Sequence, residues 1–84
     1  MRLPIIKHIV EFIEKNDEDY IIETIEVLED LIEAKGIKDE ELDVIGELLS
    51  NLHGSLEVKK SMKDGVDKKE ALNGFMKRVI KAIN

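Results

Sequence analysis

Apolar residues in this 84-residue chain recur three and four positions apart through four successive segments, a spacing that gathers them on one side of a helix. No stretch alternates apolar and polar residues as a strand would, and no internal repeat or low-complexity run interrupts the pattern. The expected fold is therefore all-α. It is a compact, four-helix bundle-like single domain over residues 1–84, with helices at about 4–15, 18–35, 40–63 and 68–83 and a long central third helix.

The first segment opens at Pro4, whose missing amide hydrogen has no partner to lose in a first helical turn. Its Ile5, Ile6, Ile9, Val10, Phe12 and Ile13 fall in one arc opposite Lys7, Glu11, Glu14 and Lys15. The cluster Asn16, Asp17, Glu18, Asp19 ends that helix and can cap the next. In the second, Ile21, Ile25, Leu28 and Ile32 repeat at four, three and four, joined by Tyr20 and Leu31, with Glu23, Glu26, Glu29, Asp30 and Glu33 on the far side. Gly36 is the expected stop after Lys35.

In the third segment Leu42, Ile45, Leu49, Leu52 and Leu56 form the main stripe, and Val44, Leu48, Val58 and Met62 widen it to about half the circumference. One neighbour cannot cover so broad an arc, so this helix is expected to touch the other three. Asp64-Gly65 ends it, and Asp67 with Glu70 opens the fourth in capping-box spacing. There Ala71, Leu72, Phe75, Met76, Val79, Ile80 and Ile83 would be buried, with Lys77, Arg78 and Lys81 in water.

Size matters here, because folding a 9.6 kDa chain buries only roughly 60% of the surface that its unfolded form exposes. With one Tyr, two Phe and no Trp, aliphatic side chains must fill the core. With no cysteine, neither a disulfide nor a thiolate zinc site can reinforce it, which leaves helix packing or oligomerisation. No apolar run approaches the ~18 residues of a membrane span, and the amino-terminal stretch is broken by Pro4, Lys7 and His8, so neither a membrane nor a signal-peptide reading holds. A cytoplasmic location is expected.

The net charge of −6 divides unevenly. Residues 1–57 carry 5 Lys/Arg against 16 Asp/Glu, a balance of −11, while residues 58–84 carry 8 against 3, a balance of +5. The cations Lys59, Lys60, Lys63, Lys68, Lys69, Lys77, Arg78 and Lys81 could face a nucleic acid. Against this, the amino terminus of the fourth helix, which would approach the bases, carries Asp67 and Glu70, and the acidic body would be repelled by a polyanion.

Candidate catalytic and metal constellations are missing. A di-iron bundle needs Glu three residues before His, yet Ile5 precedes His8 and Ser50 precedes His53 at that spacing. His53 and Glu57, one turn apart, supply two ligands where a firm site needs more. His8 at the edge of the first apolar arc, beside Phe12, reads as a half-buried structural histidine. Asp17 and Asp19 lack the glycine and distal glutamate of a calcium loop. No Gly-rich phosphate loop or Ser-His-Asp arrangement is present, so no enzyme, cofactor or metal is expected.

One further pattern stands out on the third segment, where Gly46, Ser50 and Gly54 lie at i, i+4 and i+8. Each mid-helix glycine costs roughly 1 kcal/mol relative to alanine. Close approach of another backbone is one explanation, as small residues permit, and a bend at His53-Gly54 is the other.

Three segments, Asn16 to Glu29 (NDEDYIIETIEVLE), Lys38 to Asn51 (KDEELDVIGELLSN) and Lys68 to Val79 (KKEALNGFMKRV), resemble a group of short, uncharacterised, all-helical bacterial proteins. That resemblance implies a stand-alone bacterial protein and no activity, cofactor or site residue. The expectation for function is a small protein-interaction or accessory protein. It would be a homodimer through helix faces, with Gly46, Ser50, Gly54, Lys77, Arg78 and Lys81 as the candidate interface. The alternative is a nucleic-acid-associated regulator that uses the basic fourth helix.

Overall fold

A computed structural model describes the backbone of residues 2–83 and the side chains of residues 2–79. It contains four helices, α1 (Leu3–Lys15), α2 (Asp19–Leu31), α3 (Asp39–Lys63) and α4 (Lys68–Ile83), with no strand among the described residues.

The helix ends follow from local chemistry. Pro4 sits in the first turn of α1, and Asn16 closes that helix by donating its side-chain amide to the Phe12 carbonyl at 3.1 Å. Asp17 Oδ1 then accepts the Asp19 amide at 3.1 Å where α2 starts. At the head of α3 the Glu41 carboxylate accepts the Lys38 amide at 2.9 Å. This is half of a capping box, since a lysine ammonium has nothing with which to accept in return. Asp39, Glu40 and Glu41 in the first turn, with Lys60 and Lys63 in the last, suit the dipole of α3.

Regular helix in α2 stops at Leu31, four residues short of the expected Lys35. Beyond it the amides of Glu33 and Ala34 bond to the carbonyls three residues back, Asp30 and Leu31, both at 3.0 Å, so the chain tightens before the turn. Gly36 then takes φ +82°, and Gly65 after α3 takes φ +98°, the left-handed conformation that favours glycine. The Met62 and Ser61 carbonyls are thereby met by the amides of Gly65 and Val66.

As its broad apolar arc implied, α3 packs against all three other helices. Parallel to it runs α1, from Arg2 beside Asn51, past Ile6 beside Gly54, to Ile13 and Asn16 near Lys59 and Lys63. Antiparallel to it run α2, from Glu18 at Lys63 to Leu31 near Ile45, and α4, whose Phe75 lies over Gly54. One core cluster joins Ile6, Val10, Val58, Ala71, Leu72 and Phe75, and a second joins Ile13, Ile21, Ile25 and Leu52. Ile6, Val10 and Val58 are fully buried.

Asn51 is a buried polar side chain with both ends satisfied. Its oxygen accepts the Arg2 backbone amide at 3.0 Å and its nitrogen donates to the Glu47 carbonyl at 2.9 Å, so α3 itself holds the start of α1, where no side chain of α1 acts as a cap. Asn51→Ala is expected to cost about 1–2 kcal/mol by stranding these partners. Urea titration reads the loss, and faster amide exchange confined to the first turn of α1 reads its location.

The helices build a thin plate of 44 × 34 × 17 Å. Its radius of gyration of 13.7 Å exceeds the roughly 12 Å expected for a compact domain of this length. The second half of α3 is flanked by α1, α2 and α4, and toward its start α2 continues beside it to Ile45, forming an arm that lies beyond the beginning of α1 at Asn51. The arc expected to be buried on α2 is divided accordingly. Ile21 and Ile25 are buried and Leu28 half-buried, but Tyr20 and Leu31 lie on an uncovered flank and Ile32, past the end of α2, is exposed as well.

Candidate interaction surface

Polar chemistry does not converge in the fold. His8 is exposed rather than half-buried, His53 is exposed on α3, and among the described residues no three His, Asp or Glu side chains gather where a cation could be held. Two of the cations that could have faced a polyanion are taken up internally. Lys63 Nζ lies 2.9 Å from Glu18 Oε1, and Lys68 Nζ lies 2.6 Å from Glu14 Oε1. The hydrogen bond from Lys68 holds the Glu14 carboxyl below its ordinary range and, reciprocally, raises the Lys68 ammonium.

The six residues singled out in the sequence do not form one surface. Gly54 belongs to the interior, where a methyl group would meet Phe75 Cζ at 3.0 Å and Ile6 Cδ1 at 3.2 Å. The close approach expected there does occur, but to side chains of α1 and α4 of the same chain. A methyl at Gly46 would meet nothing within 4 Å, and Ser50 is half-buried. On α4, Lys77 is exposed and the Arg78 guanidinium stands 6.0 Å from the Phe75 ring centroid. The Lys81 side chain, like those of Ile80 and Ile83, lies outside the described residues. An open cleft of about 680 Å³ between the starts of α1 and α4 is bordered by Leu3, Pro4, Leu72 and Asn73 with Lys7, Asp67, Lys68 and Lys69 around them.

Exposed apolar side chains run along α2 and the first half of α3. Val27 is 65%, Val44 59% and Tyr20 58% exposed, and Leu31 and Leu48 are also in the open. On α2, Tyr20, Thr24, Val27 and Leu31 follow one another at four, three and four residues and so form a line beside the buried Ile21 and Ile25. Thr24 lies in that line, its hydroxyl taken up by the Tyr20 carbonyl at 2.6 Å.

Two contacts place this line. Tyr20 meets Phe12 of α1 edge to face, with centroids 5.8 Å apart and rings at 85°, so the line lies on the flank of α2 nearest α1. On α3, Leu48 and Val44 continue the side marked by Asn51, one and two turns beyond the point where α1 begins. Both rows thus belong to the side of the α2–α3 arm that α1 covers only in part. Sequence periodicity had absorbed Tyr20 and Leu31 into the buried arc of α2. The available signal was the second row of four, which includes the polar-looking Thr24.

A family model described as a family of unknown function (DUF6952) matches residues 1–84 of the chain. No curated protein matches, and no solved structure does.

Proposed function

We infer that the chain, which belongs to the DUF6952 family of unknown function, is a small cytoplasmic interaction protein that works by helix-face contact rather than by catalysis. The observation that carries this reading is the uncovered apolar face of the α2–α3 arm. There Val27 and Val44 are 65% and 59% exposed, and contiguous apolar surface of this kind marks interaction sites. A nucleic-acid role has weaker support, because Lys63 and Lys68 already pair with Glu18 and Glu14.

The test is affinity capture from the native host with wild type beside Val44→Asp, whose site is exposed enough to accept the charge without unfolding the chain. Whether the captured species is a second copy or a different protein, it is expected with the wild type and lost with the variant. Equal recovery of every species by both chains refutes the reading.

A further inference from the structure

We propose that α2 is a strap whose hold on the body is set by ionic strength. At low salt it comes away as one unit while α1, α3 and α4 stay packed, and screening draws it back onto α3. Such opening needs no partner, so it holds or fails independently of the interaction reading above.

The core is divided in a way that lets α2 leave. The cluster of Ile6, Val10, Val58, Ala71, Leu72 and Phe75 joins α1, α3 and α4 and draws on no residue of α2. Two further ties bind those three helices without it, the Arg2 amide on Asn51 and the Lys68–Glu14 pair. By contrast α2 rests mainly on α3 and buries two side chains, Ile21 and Ile25, in the other cluster. An element with so few buried contacts, gathered in a cluster of its own, opens at a lower free energy than the whole fold. Its opening bares Ile13 and Leu52, with Leu49 and Leu56 beside them, and so gives the chain a second apolar surface whose access depends on salt.

Charge works against closure. Residues 17–47 carry 13 Asp/Glu against Lys35 and Lys38, a balance of −11 in a chain whose net charge is −6. Within α2 the pairs Asp19/Glu23, Glu23/Glu26, Glu26/Glu29 and Glu26/Asp30 stand three or four residues apart, all like-charged, and the helix has no Lys or Arg. Glu29 and Asp30 also sit near its carboxyl end, where the dipole is already negative. The start of α3 adds Asp39, Glu40, Glu41 and Asp43. Counter-charge is confined to the two ends of α2, where Lys59 and Lys63 border Glu18 and where Lys35 and Lys38 lie between Glu33 and Asp39. The acids of α2 are exposed, so their repulsion acts through water and is screened by salt.

The test is amide hydrogen exchange of the full chain, read residue by residue by NMR at 10 mM and 1 M sodium chloride, where the Debye length is about 30 and about 3 Å. At the lower salt, and after allowance for intrinsic rates, the amides of Ile25 and Leu28 are expected to exchange with one common protection, at least about tenfold weaker than that of Val58 and Leu72. The higher salt should slow them severalfold. Glu26→Lys turns three like-charged pairs into opposite ones at an exposed position and should slow them by about tenfold at low salt while removing most of the salt response. Glu26→Gln, which only removes repulsion, should fall between. Exchange in α2 no faster than at Val58 and Leu72 overturns the proposal, because α2 would then open only with the whole fold. An equal salt response in wild type and Glu26→Lys overturns it as well, since the response would then owe nothing to these acids.

Discussion

Phe75→Ala is expected to remove about 3–5 kcal/mol of stability, enough to leave the chain largely unfolded at physiological temperature. Phe75 is the largest side chain of its core cluster and closes the space among Ile6, Val58, Ala71 and Leu72. No smaller residue can fill that space without drawing α4 inward. Small domains have total stabilities at the low end of about 5–15 kcal/mol. The loss is therefore comparable with the whole. Urea unfolding followed by circular dichroism gives the result as a midpoint displaced to very low denaturant, and Phe75→Leu should recover part of the difference because more volume is kept. An unchanged midpoint would mean that α4 does not pack as described.

Alanine at the two glycines on one line of α3 is expected to act with opposite signs. At Gly46 the new methyl meets nothing within 4 Å, so the helix gains the roughly 0.5–1 kcal/mol that glycine costs in a helix interior. At Gly54 the methyl would stand 3.0 and 3.1 Å from Phe75 ring carbons and 3.2 Å from Ile6 Cδ1. Neither neighbour is the loose end of a surface side chain. Overpacking of this kind costs about 1–3 kcal/mol and outweighs the propensity gain, and a branched side chain at Gly54 costs more still. Ile6→Val removes one of the three crowding atoms, so in the double variant the penalty at Gly54 should shrink, a coupling read from a double-mutant cycle. Two stabilising alanines would show that the helices sit farther apart at Gly54 than described.

Much of the fold was legible in the residues because each helix carries its own start and stop. Pro4, the acids of Asp39 to Glu41, and the pair Gly65 and Asp67 all fall where the helices begin or end. The width of the α3 arc foretold its central place, since a helix apolar on half its circumference must be shared among several neighbours. Gly54 shows where such reasoning runs out. Small side chains report that something comes close, but not whether it is another chain or the same chain folded back. Periodicity likewise marks an apolar arc without marking how much of it a neighbour covers, and so Tyr20 and Leu31 read as core. Asn51 went unnoticed, although an amide on the side of α3 that carries Val44, Leu48 and Val58 was the available sign of a polar contact from elsewhere.

The edge-to-face meeting of Tyr20 with Phe12 also makes the protein its own optical reporter. With a single tyrosine and no tryptophan in the chain, essentially all near-ultraviolet emission originates from one ring that stands where the start of α2 meets the end of α1. A helix laid along the whole exposed row of α2 would change the solvation of this phenol, whereas one confined to the Leu31 end would leave it as it is. Emission from unlabelled protein therefore tells the two placements apart, without a dye, a tag or a cysteine.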